Sequence, residues 1–425
     1  MMDRQQLLTY YSEHLMKKIL PFWLKNGIDK KNGGVFTCID NKGTNLISRD
    51  KYTWSQGRFA WMMARIGDLC TRNIIQDDPT IYLNSSKKTV QFLLDNVFLD
   101  NSHCTYLMDE YGNKKLINGY SNYDVSIYSE CFVALGFLEY GRVVRNEYYI
   151  NKAWDLYLQT VERIKTDDYR LEPYPVPKEI SIHGLPMILL NLSVEFGNAF
   201  EQVNELKFSL AKMHSGEYID EIFGQVDRSS DLILEHIPKL NKNKSEWNNR
   251  LLCKHVAPGH TAETLWLIMM AAEQIGDVNL INKVIKILKN TFKIGWDKEY
   301  GGIFRFIGLD GNKPSGEVLG LPYETQILDT WDMKLWWVHT EFLLAVHMAS
   351  LFDNNDEELV LMASAIHDYT FNIFPNKDKS IGEWIQKRDR YGNPLDKIVA
   401  LPIKDPYHIS RDLLILIELY SKFNI

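Results

Sequence analysis

Hydrophobic residues recur three and four positions apart through most of the chain, rather than at alternate positions. This spacing places the apolar side chains on one face of an α-helix, so it predicts a mainly helical protein. Polar turns as short as residues 352–356 separate several helices, which indicates antiparallel neighbours. The predicted helices cover residues 5–23, 56–71, 81–97, 126–145, 150–166, 185–200, 202–214, 218–226, 260–274, 279–291, 331–351, 356–371 and 411–422.

Short strand-like segments lie between the helices, and one of them occurs twice. The segment GIDKKNGGVF at residues 27–36 recurs as GWDKEYGGIF at residues 295–304. Glycine-containing turns follow both copies, and similar turns occur at residues 109–112 and 389–392. Glycine supplies the positive φ that tight turns require, so these segments predict short hairpins.

The recurrence of one unit on a helical background favours a repeated helix pair. No linker rich in proline, glycine or serine divides the chain. The sequence therefore predicts an all-α fold, an (α/α)6 toroidal barrel with short β-hairpins at one mouth, as a single domain over residues 1–425. The alternative is a helical protein of two domains.

Composition narrows the classes of partner. The chain has 425 residues, a net charge of −7 and no run of basic residues, which argues against nucleic acid as a partner. Its five cysteines are scattered and odd in number, as expected for reduced thiols in the cytoplasm. The N-terminal residues lack the pattern of a signal peptide, and apolar runs such as residues 266–272 are too short to span a membrane.

Two histidines carry the main chemical signal. His260 follows Pro258-Gly259 and His408 follows Pro406, and each opens an apolar helical run. A side chain at a helix N-terminus lies on the rim of the element. Two neutral imidazoles that reach one cavity from different elements could remove a proton from one face of a carbon and return it to the other. The alternative for each histidine is a non-catalytic role, as a helix cap or a surface residue.

Further candidates lie near helix starts. Glu263 lies three residues after His260, and Glu341 lies four residues after Trp337, so each pair shares a helix face. Arg58 lies near the start of another predicted helix. Each of these residues also has a purely structural interpretation. Trp337 could belong to the core, Glu263 could interact with the helix dipole, and Arg58 could form a structural ion pair.

Four segments, in this order, resemble motifs of the N-acylglucosamine 2-epimerase family. They are WSQGR at residues 54–58, PGHTAETLW at 258–266, KLWWVHTE at 334–341 and YHISR at 407–411. The resemblance covers about residues 5 to 422. It implies an (α/α)6 barrel and either C2 epimerisation or aldose–ketose isomerisation of N-acylhexosamines, hexoses or disaccharides. By the motifs, His260 and His408 match the two acid/base histidines, Arg58 an arginine near the substrate carbonyl, and Glu263 and Glu341 carboxylates that orient the histidines or bind hydroxyls.

Residues 184–192 resemble the N-acylglucosamine 2-epimerase branch of that family. Other branches carry a third histidine here, where this chain has Gly184 and Ile188, with His183 out of register. Lys254 and Ala257 replace an arginine and an asparagine of the family motif. The expected substrates are N-acetylglucosamine and N-acetylmannosamine, and the departures keep mannose, glucose and fructose as alternatives.

In the expected mechanism, the sugar ring first opens to the free aldehyde. One histidine then removes the C2 proton and the other protonates the opposite face, while Arg58 stabilises the oxyanion. Trp54, Trp266 and Trp337 are expected to stack on the sugar, and Gln56 and Arg411 to bind it. No metal or cofactor motif is present, so none is expected. The partners expected are a sugar, no nucleic acid and no membrane, with a homodimer left open.

Two other function classes remain. A glycoside hydrolase on a helical barrel would use two carboxylates, for which Glu263 and Glu341 are the candidates. A sugar-binding protein without catalysis is the other.

Overall fold

The computed structural model describes residues 2–239 and 244–422. Helices dominate, and the chain divides into two compact units. The first unit comprises Met1–Pro173, Asn376–Trp384 and Ala400–Ile425, and the second comprises Tyr174–Pro375 and Ile385–Val399. The prediction of a single domain stays a prediction.

The first unit is built from helix pairs. Its elements are α1 Arg4–His14, α2 Leu20–Phe22, β1 Lys51–Tyr52, α3 Thr53–Thr71, α4 Pro79–Asn96, β2 Leu107–Met108, α5 Tyr128–Val143, α6 Glu147–Lys165 and α15 Tyr407–Ser421. Helix α3 packs against α4 and α5, α5 packs against α6, and α15 packs against α1 and α3. Helices α3 and α5 are buried on nearly every side, whereas α6 buries one stripe that includes Trp154, Tyr157 and Val161.

The second unit repeats this design. Its elements are β3 Ile180–Ile182, α7 Gly184–Phe200, α8 Glu205–Phe223, β4 Val226–Asp227, β5 Leu232–Ile233, β6 His236–Pro238, α9 Lys244–Trp247, β7 His255–Val256, α10 Pro258–Ile275, α11 Val278–Gly295, β8 Ile307–Gly308, α12 Pro322–Thr330, β9 Lys334–Leu335, α13 Trp336–Phe352, α14 Glu357–Ile373 and β10 Lys387–Arg388. Helix α7 packs against α8, α10 against α11 and α13 against α14, and α10 also contacts α7 and α13. Helix α10 is buried nearly all round, whereas α11 buries one face.

The helices of the second unit depart from the prediction at several places. Helix α12 was not predicted, and the helix predicted at residues 331–351 begins only at Trp336, after β9. The two helices predicted at residues 202–214 and 218–226 form the single helix α8. Gly216 lies in open space on this helix, while Ser215 is buried and donates a hydrogen bond to the Ser193 hydroxyl at 2.9 Å. Glycine weakens a helix by about 1 kcal/mol relative to alanine. Packing against α7 outweighs that cost, so the helix continues.

The predicted hairpins are present, and the duplicated segments have matching structures. Ile28 pairs with Val35 in the first copy, as Trp296 pairs with Ile303 in the second. The adjacent glycines Gly33 and Gly34 have φ of 85° and 82°, a conformation that residues with a side chain rarely adopt. Gly301 and Gly302 adopt the same conformation, with φ of 73° and 74°.

The match extends to a buried ion pair beside each copy. The Lys51 ammonium lies 2.8 Å from Asp29 Oδ2 and also donates to the Gly33 carbonyl oxygen. In the second unit, the Lys334 ammonium lies 3.2 Å from Asp297 Oδ2. Each lysine lies in the short strand that leads directly into a buried helix, α3 or α13, so the ion pair fixes that helix start to the hairpin.

None of the helices in residues 2–239 and 244–422 combines the length and the apolar character that crossing a bilayer requires.

Candidate functional site

His260 lies in the first turn of α10. Ala257 precedes the helix in an extended conformation and Pro258 occupies its first position, which suits proline because that position needs no hydrogen-bond donor. The His260 side chain is 30% exposed, and its ring centroid lies 5.2 Å from that of Trp337. The two rings approach over Gly259, where a Cβ would lie 2.5 Å from the Trp337 ring. The glycine therefore permits this stacking.

The Nδ1 atom of His260 lies 2.9 Å from Glu235 Oε1. Burial alone would raise the pKa of the Glu235 carboxyl, but the charge and hydrogen bond of His260 outweigh burial and lower that pKa to about 2. In turn, burial disfavours the charged imidazole, yet Glu235 raises the pKa of His260 above its usual value. The imidazole is therefore a stronger base than histidine in water.

Glu263, Trp266 and Glu341 lie deeper in the second unit, and all three are buried. The Trp266 indole N–H donates to Glu341 Oε2 at 2.8 Å, which joins α10 to α13. Trp266 is only 1% exposed. This geometry favours a role in orienting Glu341 over the predicted stacking on a sugar.

His408 and Arg411 lie in the first turn of α15, and both are buried. The backbone N–H of His408 donates to Asp405 Oδ2 at 3.1 Å. Arg411 Nη2 lies 3.4 Å from His408 Nδ1, and Arg411 Nε donates to Asp412 Oδ1 at 3.1 Å. The side chain of Arg411 therefore contacts the histidine that it accompanies in the sequence.

Arg58 lies on α3 in the same unit as His408. Its guanidinium carbon lies 4.1 Å from the Phe132 ring centroid and 5.1 Å from that of Tyr407. Its Nη1 lies 3.7 Å from Asp405 Oδ1. Arg58 and His408 therefore share Asp405 and Tyr407 as neighbours, which the sequence motifs did not reveal.

Trp54 and Gln56, the two residues of α3 that were predicted to contact the sugar, differ in their surroundings. The Trp54 ring is half-buried and lies edge-on to Tyr106 and Tyr128. The Gln56 amide is fully buried and bonds to both the N–H and the carbonyl oxygen of Val35, at 2.8 Å and 2.9 Å. Gln56 therefore holds the first hairpin, and this geometry favours a structural role over the predicted sugar contact.

Sequence reasoning missed two residues beside the histidines. Asp405 carried a usable signal, because an aspartate just before a helix start commonly caps it. Glu235 carried none, since it lies 25 positions from His260 and meets it only in the folded chain, where its backbone N–H donates to the His255 carbonyl oxygen.

Within each unit, the structure brings together groups suited to proton transfer. In the second unit these are His260 and Glu235, with the Trp337 ring against the imidazole and Glu263 on the next turn of α10. In the first unit they are His408, Arg411 and Arg58. An imidazole can accept a proton and a fixed guanidinium can stabilise an oxyanion.

Comparisons with known proteins agree with the motifs. The family model described as N-acylglucosamine 2-epimerase (GlcNAc 2-epimerase) matches residues 208–411. The N-acylglucosamine 2-epimerase of Bos taurus is 29% identical over 97% of this chain and 92% of its own length. The enzyme of that name from Homo sapiens is 28% identical over 94% and 86%. The cellobiose 2-epimerase of Dictyoglomus turgidum is 23% identical over 96% and 98%.

Solved structures share the fold. Cellobiose 2-epimerase from Bacillus thermoamylovorans superposes with a TM-score of 0.73 at 20% identity, covering 98% of this chain and 100% of its own. A D-mannose isomerase has a TM-score of 0.73 at 17% identity, covering 97% of each chain. The predicted fold class, an all-α protein of the (α/α) barrel type, is confirmed. Together with the four ordered motifs and the similarity over nearly the whole length, these matches confirm the resemblance to the N-acylglucosamine 2-epimerase family.

Proposed function

We propose that this protein, a carbohydrate 2-epimerase by family, interconverts N-acetylglucosamine and N-acetylmannosamine. This choice of substrate rests on the similarity to relatives named N-acylglucosamine 2-epimerase. The similarity extends over nearly the full length, at 29% identity for the bovine protein. The cellobiose 2-epimerase relative is 23% identical. The branch-specific segment of α7, where Ile188 stands in place of a third histidine, supports the same choice.

The proposed reaction uses His260 and His408 as the acid and base. The open-chain aldehyde makes the C2 proton acidic, and one imidazole removes it while the electron pair moves to the carbonyl oxygen. Arg58 stabilises the resulting oxyanion. The other imidazole then delivers a proton to the opposite face of C2, which inverts that carbon.

The other site residues have supporting roles in this proposal. Trp54 and Trp337 stack on the sugar, because each carries an aromatic face and neither ring is fully buried. Glu263 and Glu341 orient the histidines or bind hydroxyls, and Arg411 holds His408 through its contact at 3.4 Å.

His183 is the nearest candidate for a third histidine. Its Nδ1 lies 2.7 Å from Gln225 Oε1, and its Nε2 lies 2.7 Å from Thr264 Oγ1. Since both nitrogens have partners, His183 is suited to holding α10 and not to moving a substrate proton. This supports a reaction with two histidines.

Product analysis by NMR in deuterated water tests the substrate. We expect each N-acetylhexosamine to yield the other, with deuterium at C2, and mannose to give no product. Products from mannose alone would replace the proposed substrate with an unacylated hexose. Cleavage of a disaccharide without C2 exchange would favour the hydrolase, and binding without exchange on any sugar would favour a non-catalytic protein.

A cytoplasmic location and a second copy of the chain as partner also stay proposals. The five cysteines are all unpaired and buried, which is compatible with a reducing compartment. Light scattering on the purified protein would show whether it forms a homodimer.

A further inference from the structure

We propose that Glu235 is a positioning residue that directs Nε2 of His260 towards the substrate as the catalytic base. This inference rests on the proposed function, since it assigns the base among the two histidines. It starts from the 2.9 Å contact between Glu235 Oε1 and His260 Nδ1. A carboxylate accepts the Nδ1 proton, so the neutral imidazole keeps its lone pair on Nε2.

The position of Glu235 is fixed by its backbone. Its N–H donates to the His255 carbonyl oxygen at 3.2 Å, and its carbonyl oxygen accepts from the His183 N–H at 2.9 Å. It immediately precedes β6, which pairs with β3 in an antiparallel register. The side chain itself is buried. Because the carboxylate is already fixed, it can orient the imidazole without a further loss of its own conformational entropy.

The charges around His260 favour a proton on that residue. Glu235 and Glu263 attract the charged imidazole, whereas Arg305 opposes it. Trp337, from α13, covers one side of the ring. The net effect of these groups is a raised pKa for His260.

Three other histidines lie near the same carboxylate, and burial opposes the charged form of each of them. Burial lowers the pKa of His183 and of His255, and it lowers that of His236 to about 3. Of these four histidines, His260 forms the side-chain hydrogen bond to Glu235, and it is also the one with an exposed edge.

The proton balance of the step is simple. The C2–H bond breaks and its proton joins His260 Nε2. Its electron pair forms the C1–C2 double bond as the carbonyl π electrons move to the C1 oxygen, which gives an enolate that bears the acetamido group on C2. His260 becomes an imidazolium, with Nδ1–H still bonded to Glu235, which remains ionised throughout. The carboxylate stabilises the positive charge that this step creates.

Two substitutions separate the charge of Glu235 from its geometry. Glu235→Gln keeps an oxygen acceptor and removes the charge, and Glu235→Asp keeps the charge on a shorter side chain. We expect Glu235→Gln to lower kcat on the order of 100-fold with little change in KM. The acidic limb of kcat/KM should move to lower pH, because His260 loses the partner that raises its pKa. Glu235→Asp should return the limb towards its original position.

Glu324→Gln is the matched control. Glu324 is a buried glutamate of the same unit, and it accepts the N–H groups of Leu319 and Leu321 at 2.7 Å and 3.0 Å at the start of α12. We expect it to leave the acidic limb in place. Circular dichroism and thermal unfolding establish that each variant is folded.

NMR of ¹⁵N-labelled histidine, without any sugar, reads the pKa and the tautomer of His260 directly. We expect Nδ1 to be protonated in the neutral form, and Glu235→Gln to lower the pKa of His260. An unchanged pH limb and an unchanged His260 titration in Glu235→Gln would overturn the inference. If the unmodified protein exchanges no C2 proton on any sugar, the proposed function fails, while this titration still tests the Glu235–His260 pair on its own.

Discussion

The two histidines of the proposed reaction have different immediate surroundings. His260 bonds to the carboxylate of Glu235, whereas His408 lies beside the guanidinium of Arg411 and is held through its backbone by Asp405. The carboxylate of Glu235 raises the pKa of the His260 imidazole against the opposing effect of burial. The side chains in contact with the two histidines therefore differ in charge.

Replacement of either histidine tests their roles. We expect His260→Asn and His408→Asn each to lower kcat by roughly 10²- to 10⁴-fold, the usual loss on removing a general acid or base. Deuterium exchange at C2, starting from each epimer, should show whether one variant still removes a proton from one face.

His103→Asn is the control for this pair. His103 also bonds to a carboxylate, that of Asp124 at 2.6 Å, but it belongs to no predicted site. Near-normal turnover in either His260→Asn or His408→Asn would show that the assignment of two bases is incorrect.

Arg58 is expected to act mainly in the transition state. Arg58→Lys should lower kcat roughly 10- to 100-fold and raise KM less, because a lysine lacks the planar, forked donors and the stacking on Phe132. Steady-state kinetics on both epimers measure the two constants. Arg142→Lys, at an arginine paired with Glu139 away from the predicted site residues, is the control. A change confined to KM would mean that Arg58 binds only the ground state.

One structural element occurs in both units and carries different chemistry in each. The duplicated hairpin meets a buried lysine, Lys51 or Lys334, and the helix that follows supports the hairpin backbone through Gln56 or His339. Seven residues after the lysine stands Arg58 in the first copy and Glu341 in the second. The element is thus a scaffold that presents a cation in one unit and a carboxylate in the other.

The buried ion pairs of this element should contribute strongly to stability. Asp29→Asn and Asp297→Asn should each reduce the free energy of unfolding by about 3–5 kcal/mol, since each leaves a buried lysine without its carboxylate. Asp297→Asn should have the larger effect, because Arg390 also bonds to Asp297 at 2.8 Å. Urea unfolding measures both values, and a loss below about 1 kcal/mol would contradict this role.

The same carboxylates predict the response to acid. Burial opposes ionisation of Asp297, but Arg390 and Lys334 outweigh it and hold the pKa of that carboxyl well below its usual range. A lowered folded-state pKa stabilises the protein above the unfolded-state value of about 4, and this contribution is lost as the pH falls through the folded-state pKa. The difference in stability between Asp297→Asn and the unmodified protein should therefore shrink below about pH 4.

At the scale of the whole molecule, the fold does not select the reaction. The GH76 α-mannanase of Bacteroides thetaiotaomicron superposes on this chain with a TM-score of 0.56 at 8% identity, and it is named for a different reaction from the epimerases. One fold can carry several chemistries, so specificity has to come from particular side chains. For this chain, the proposed reaction depends on the two histidines His260 and His408.

Chelation distinguishes this chemistry from catalysis that depends on a metal. The sequence lacks the spacing of known metal-binding motifs, and acid–base transfer by imidazoles needs no ion. We expect epimerase activity to survive exhaustive treatment with EDTA, measured by the same NMR assay. Loss of activity that a divalent ion restores would contradict the proposed mechanism.

The sequence by itself determined the features that depend on local spacing. Periodicity located most helices, paired glycines located the hairpins, and the two histidines after their breakers located the starts of α10 and α15. The ordered motifs also indicated the resemblance to the N-acylglucosamine 2-epimerase family, which the similarity to known relatives confirms. These signals are local because helices and tight turns form from neighbouring residues.

Only the tertiary structure decided which side chains meet. It showed that Glu235 bonds to His260, that Gln56 bonds to the hairpin backbone and that Trp266 bonds to Glu341. It also showed that α8 continues past Gly216 as one helix. The first three depend on strand pairing or helix packing between residues 21 to 75 positions apart, and the last on burial against a neighbouring helix. Local sequence patterns contain no information on such contacts, because the free energy that selects them comes from burial and hydrogen bonding between distant segments.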